Sequence, residues 1–154
     1  MIRHQHECSV DQMDQTARTL ARFLFPGAFL ALNGELGSGK TTFAQGLLAA
    51  LGVDRSVQSP TFRLLQSYEA KFTVHHLDLY RLQHPLEVLD LGWEELQDGS
   101  AVVLVEWMNL FPELLPAEYL ELTLSYADNG RHLQWKAVGK AYEEILEAML
   151  PCES

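Results

Sequence analysis

Apolar side chains recur along the 154-residue chain with two periods. Between Asp11 and Phe25, Met13, Ala17, Leu20, Ala21 and Leu24 repeat at helical spacing. Asp11 is the expected N-cap and Pro26-Gly27 the stop. Ala28 to Leu32 is an unbroken apolar run of strand length, which suits a sheet covered on both faces. Lys40 to Leu51 returns to the helical period and ends at Gly52. A polar connection follows from Asp54 to Pro60. Thr61–Glu69 and Phe72–Leu82 read as two strands joined by a tight turn at Ala70-Lys71. Pro85 to Leu96 reads as short helical turns, and Ala101–Val105 as a central strand. Phe111-Pro112 and Pro116 mark an irregular stretch. Leu120, Leu122, Leu124 and Tyr126 alternate with polar residues, as a half-buried strand does. Asp128-Asn129-Gly130 signals a hairpin, and Leu133, Trp135 and Ala137 continue the alternation on the return. The last element is an amphipathic helix from Lys140 to Pro151. Met1–Glu7 reads as a polar tail carrying His4 and His6. The sum is one α/β domain over residues 1–154, with parallel strands around a glycine-rich turn, antiparallel hairpins outside them, and helices on both faces.

Composition narrows the class. Apolar residues make up 47% of the chain and charged ones 21%, a balance that folds rather than stays disordered. Eleven basic against 21 acidic residues leave a net charge of −10. That balance argues against a broad basic face, and with it against a direct grip on nucleic acid by this chain alone. No apolar run approaches the ~18 residues that would span a membrane, and the polar N-terminus lacks a signal-peptide core. The expected compartment is the cytoplasm. Cys8 and Cys152 read as free thiols. Between Leu82 and Gly130 there is no Lys or Arg, against ten carboxylates. That stretch is either a solvated acidic face or a surface steered toward a basic protein partner.

The chemistry concentrates in Gly34-Glu35-Leu36-Gly37-Ser38-Gly39-Lys40-Thr41, which fits G-x-x-x-x-G-K-[ST]. A chance match somewhere in a chain of this length is roughly one in two hundred. An apolar strand precedes it and a helix follows, the context of a P-loop NTPase-like domain. Glycines let the backbone curl so that successive N–H groups face phosphate oxygens, and the helix adds its positive end. Lys40 supplies a charge for the β- and γ-phosphates, Thr41 a hydroxyl for Mg²⁺, and Thr42 a further phosphate contact. Glu106 closes the central strand, where ligands of such sheets collect, and is the candidate second Mg²⁺ ligand. Asp78 competes for that role. It sits in His76-Leu77-Asp78-Leu79-Tyr80-Arg81, where an acid needs Mg²⁺, a water or Arg81 as partner. Ser59-Pro60-Thr61 stands about twenty residues after Lys40, where P-loop switches often place a hydroxyl that senses the γ-phosphate. His75 and His76 are neighbours on a strand, so one is packed and the other exposed, with no metal site between them. Trp93, Trp107 and Trp135 read as core or interface aromatics.

Absences select among phosphate enzymes. There is no Asn-Lys-x-Asp guanine reader, no Asp-x-x-Gly switch and no Leu-Ser-Gly-Gly-Gln of transporter ATPases. A kinase lid normally brings arginines over the donor phosphates, and residues 82–130 contain none. A compact ATPase remains. A small-molecule kinase with an unusual acceptor and a nucleotide-binding module without turnover stay open.

Four blocks, Gly34–Thr42, Ser59-Pro60-Thr61-Phe62, His76–Arg81 and Val105-Glu106-Trp107, together resemble the bacterial TsaE (YjeE) ATPases in order, spacing and overall length. The resemblance implies a role in making threonylcarbamoyladenosine, the modified base beside the anticodon of tRNA. It implies a weak ATPase that uses ATP and Mg²⁺, releases ADP, and resets a complex of two related partner proteins of the TsaB/TsaD type. By family match, Lys40 and the loop Gly34, Glu35, Leu36, Gly37, Ser38 and Gly39 hold phosphates. Thr41 and Glu106 hold Mg²⁺, and Asp78 and Thr61 serve hydrolysis. Thr16 in the first helix and Arg131 in the last hairpin are the candidates for adenine contact. Contact with tRNA would come only through the partners.

Overall fold

The computed structural model describes residues 1–53 and 64–150. Seven strands form one sheet: β1 Ile2–Cys8, β2 Phe29–Gly34, β3 Leu65–Glu69, β4 Thr73–Asp78, β5 Ala101–Glu106, β6 Tyr119–Ala127 and β7 Gly130–Val138. The helices are α1 Val10–Ala21, α2 Lys40–Ala50, the short α3 Pro85–Leu89 and α4 Trp93–Leu96, and α5 Lys140–Met149. The sheet order is β1-β7-β6-β2-β5-β4-β3. The mixed sheet has the expected division: β2 pairs in parallel with β5 and β6, and β5 with β4. Pairs β3–β4, β6–β7 and β1–β7 are antiparallel.

Helices cover both faces. On one, Met13, Leu20, Phe43, Leu47, Ile145 and Leu146 of α1, α2 and α5 pack on Leu30, Leu32, Leu104 and Leu122. On the other, Val88, Trp93, Met108 and Phe111 cover Phe29, Ala31, Val103 and Val105. β5 is therefore buried at every position, as its unbroken apolar run requires. Tyr142 of α5 reaches across and accepts the Phe29 backbone N–H at 2.9 Å, fixing the helix to the start of β2. Burial pushes the Tyr142 hydroxyl above the ordinary tyrosine range.

Three expectations need correction. Met1–Glu7 is not a tail: residues 2–8 form β1, paired residue by residue with β7 from Ile2–Ala137 to Cys8–Arg131. His6 accepts the Trp135 indole N–H at 3.1 Å and does not hang free. Polar side chains at half-buried positions hid this strand, because its partners are backbone groups. Second, Ser9 caps α1 in place of Asp11. Its hydroxyl accepts the Gln12 N–H at 3.1 Å while Gln12 returns to the Ser9 N–H at 2.9 Å, a reciprocal capping box. The helix also ends at Ala21, short of Phe25. Third, β4 ends at Asp78, so Leu79 to Leu82 lies beyond the strand. Cys8 is a free thiol, half-buried, and desolvation raises its pKa. The polar connection at 54–60, the beginning of the 61–69 strand and Cys152 lie outside the described residues. No helix among the described residues is long and apolar enough to cross a membrane.

Candidate functional site

β2 and β5 are the central parallel strands, and their C-terminal ends open into one hollow. Between Gly34 and Lys40 the chain curls back before α2 begins. Gly34 adopts φ +150°, and a Cβ there would stand 2.7 Å from the Leu124 carbonyl oxygen. Gly39 caps α2 at φ +110°, where an L side chain is strained, and a Cβ would stand 2.8 Å from the Met13 methyl. No side chain caps α2. Its first amides and the positive end of its dipole therefore face the hollow, as anion binding needs.

The hollow holds about 410 Å³ and is lined by the loop, Lys40, Thr41, Thr42, Asp78, Arg81 and Glu106, with Tyr80 and Trp107 at its wall. The Lys40 ammonium donates to the carbonyls of Gly34 and, at 3.1 Å, Glu35. It also lies 4.2 Å above the Trp107 ring centroid. Desolvation pulls the Lys40 pKa below its usual value, and the carboxylates of Glu106 and Asp78 pull it back up. Asp78 and Glu106 are register partners on neighbouring parallel strands, so their side chains share a face. Asp78 accepts the Tyr80 backbone N–H at 3.0 Å, which shapes the turn after β4. Glu106 is buried, and its Oε2 lies 2.7 Å from Nε2 of the fully buried His76.

Trp107 has φ +64°, the one non-glycine among the described residues in the left-handed region. Two contacts hold the corner. The Trp107 N–H donates to the Leu32 carbonyl at 3.1 Å, and buried Asn33 accepts the Asn109 N–H at 3.1 Å. The Tyr80 ring meets Trp107 at 4.7 Å between centroids.

The family model for the threonylcarbamoyl adenosine biosynthesis protein TsaE matches residues 8–133. The chain belongs to the TsaE family. Relatives named tRNA threonylcarbamoyladenosine biosynthesis protein TsaE agree. The Bacillus subtilis protein is 41% identical over 135 residues, covering 86% of this chain and 84% of its own. The Rickettsia conorii protein is 40% identical, covering 81% of this chain and 72% of its own. The crystal structure of Bacillus subtilis YdiB superposes with a TM-score of 0.80 at 30% identity, covering 97% of this chain and 96% of that one. The fold is P-loop NTPase-like, and the family role is in tRNA threonylcarbamoyladenosine biosynthesis.

Within this TsaE fold, loop residues Leu36, Gly37 and Gly39 meet Lys40, Thr41, Thr42, Asp78 and Glu106 at one hollow. The structure sets Arg131 against the back of the loop. Its Nε donates to the Ser38 carbonyl at 2.8 Å and its guanidinium lies 4.7 Å from the Tyr126 ring. Thr16 stands elsewhere: its hydroxyl donates to the Gln12 carbonyl, and it borders a separate depression with Cys8 and Met149. Thr61 lies outside the described residues. Of the three tryptophans, Trp93 and Trp135 are core, whereas Trp107 belongs to the site. Sequence reasoning missed the contacts of Tyr80 and Trp107 with one another and of Trp107 with Lys40. The available signal was an aromatic one or two residues after the acid that ends each of two strands.

Among the described residues no three His, Cys, Asp or Glu side chains form a metal cluster. A hydroxyl and one or two carboxylates beside a glycine-rich loop are instead a sparse oxygen set. That set suits Mg²⁺, which keeps waters and takes phosphate oxygens as further ligands.

Proposed function

We propose that this chain is a weak Mg²⁺-dependent ATPase, an accessory switch for the TsaB/TsaD-type protein complex that adds a threonylcarbamoyl group to the adenosine beside the tRNA anticodon. The observation that carries the reading is convergence. Uncapped amides, the Lys40 ammonium, the Thr41 hydroxyl and the carboxylates of Asp78 and Glu106 meet on one hollow at the strand ends.

The loop amides and the α2 N-terminus bind the phosphates of ATP. Lys40 exchanges its two loop carbonyls for β- and γ-phosphate oxygens. Thr41 and Glu106 hold Mg²⁺, which neutralises charge on the transferred phosphoryl group. Asp78 orients the attacking water, and Thr61 is assigned by family match to the same step. The acidic balance of the chain suits a protein that meets tRNA through partners and not through its own surface.

The test is phosphate release by the purified chain, alone and with the partner complex. Basal turnover is expected to be low and to rise with the partners. Label from ATP on a small metabolite would favour the kinase reading, and nucleotide binding without turnover the passive module. Lys40→Ala should cut turnover by about a hundredfold or more, with circular dichroism showing a retained fold. Glu106→Gln should raise the Mg²⁺ concentration for half-maximal turnover by roughly tenfold. An unchanged Mg²⁺ dependence would pass the ligand role to Asp78.

A further inference from the structure

We infer that His76 is a positioning residue that aims Glu106 at the nucleotide hollow through a hydrogen bond donated by its Nε2. The inference rests on the proposed role of Glu106 as a cation ligand and goes one residue behind it.

His76 lies on β4 and Glu106 on the neighbouring β5. His76 is in register with Leu104, so it shares a sheet face with Glu106 two residues further along β5. Both side chains are removed from solvent, His76 at 0% and Glu106 at 1% exposure. Their Nε2–Oε2 separation of 2.7 Å is that of a charge-assisted hydrogen bond.

The other ring nitrogen decides the tautomer. Nδ1 of His76 is buried and has no partner among the described residues. A hydrogen on Nδ1 would leave an unpaired buried donor there. A hydrogen on Nε2 alone gives the carboxylate a donor and leaves at Nδ1 only a lone pair. His75, one residue earlier, is turned to the opposite face and pairs its Nδ1 with the Ser67 hydroxyl at 2.7 Å. The two histidines are not interchangeable.

A glutamate head swings on three side-chain torsions. A hydrogen bond to one oxygen from a ring packed in the sheet removes that freedom before the ligand arrives. Glu106 is held inside the molecule, at the edge of the hollow.

The experiment uses the full chain, Mg²⁺ and a fluorescent ADP analogue. In His76→Leu the Mg²⁺ concentration for half-maximal effect on ADP binding should rise about tenfold or more, while Mg²⁺-free ADP affinity stays within about twofold. His76→Gln, whose amide nitrogen can stand where Nε2 stands, should recover most of that loss. A folded His76→Leu with wild-type Mg²⁺ dependence overturns the inference, as does an equal loss of Mg²⁺-free ADP affinity. Nitrogen-resolved NMR of the wild-type chain reads the tautomer without any substitution, so the test survives variants that do not fold. A proton on Nε2 whose signal moves when Mg²⁺ and ADP are added supports the inference; a proton on Nδ1 overturns it. Glu106→Gln separates the two levels. Unchanged Mg²⁺ dependence there rejects the ligand role of Glu106 itself. A loss there with none in His76→Leu rejects only the role of His76.

Discussion

Trp107 occupies a backbone conformation that its side chain makes expensive. At φ +64° a Cβ crowds the following carbonyl, at a cost of about 1 kcal/mol that glycine would not bear. The indole offsets this with its face under Lys40 and a tilted ring contact with Tyr80. The two effects separate experimentally. Trp107→Ala keeps the strained φ and loses the ring, whereas Trp107→Gly loses the ring and the strain. Urea unfolding should therefore find Trp107→Gly the more stable of the two by about 1 kcal/mol. Both should weaken nucleotide binding, because the ring that helps place Lys40 is gone. At this scale the sequence was readable where chemistry is carried by residue type. Lys40 and Thr41 are named by motif, Glu106 by its place at the end of an apolar run, and Asp78 as an acid among apolar neighbours, while the structure alone puts Asp78 at a strand end. The left-handed turn at Trp107 was not readable, because non-glycine residues enter that region only when contacts from elsewhere in the fold hold them there.

The helices on either side of the loop are started in opposite ways. Ser9 and Gln12 close α1 with a reciprocal box, while Gly39 starts α2 with no side-chain cap. A capped helix has spent its first amides; an uncapped one keeps them for a ligand. Ser9→Ala should cost about 1 kcal/mol in thermal or urea unfolding and leave nucleotide affinity unchanged. An equal fall in affinity would show that α1 acts on the loop it packs beside. Helix existence and apolar faces were legible from periodicity, and the boundaries less so. Asp11 and Ser9 are both good caps by type, and only the reciprocal bond with Gln12 selects Ser9.

At the scale of the molecule, the site exists because β2 runs between β5 and β6 with all three parallel. Their carboxyl ends then open on the same edge, with β4 adding Asp78 beside Glu106. The far edge is closed by β1, whose contribution is mainly backbone pairing along β7. Deleting residues 1–8 should lower unfolding stability by roughly 3 kcal/mol, from the lost ladder bonds. It should also leave the β7 edge open to self-association, read by light scattering. Unchanged stability in the shortened chain would show that the ladder adds nothing.

The amino-acid sequence by itself determined the class of fold, the glycine-rich loop and the carboxylates proposed to serve it. Those properties are written locally, in the period of apolar residues and in the few side chains able to do the chemistry. Only the tertiary structure decided that a polar N-terminal segment is a strand and that His76 stands behind Glu106. It alone decided that Trp107 turns under Lys40, that Arg131 braces the loop from behind, and that Thr16 lies apart. These depend on backbone pairing and on contacts between residues far apart in the chain. Neither leaves a periodic trace, because a backbone hydrogen bond is the same for every residue and a distant contact has no fixed spacing.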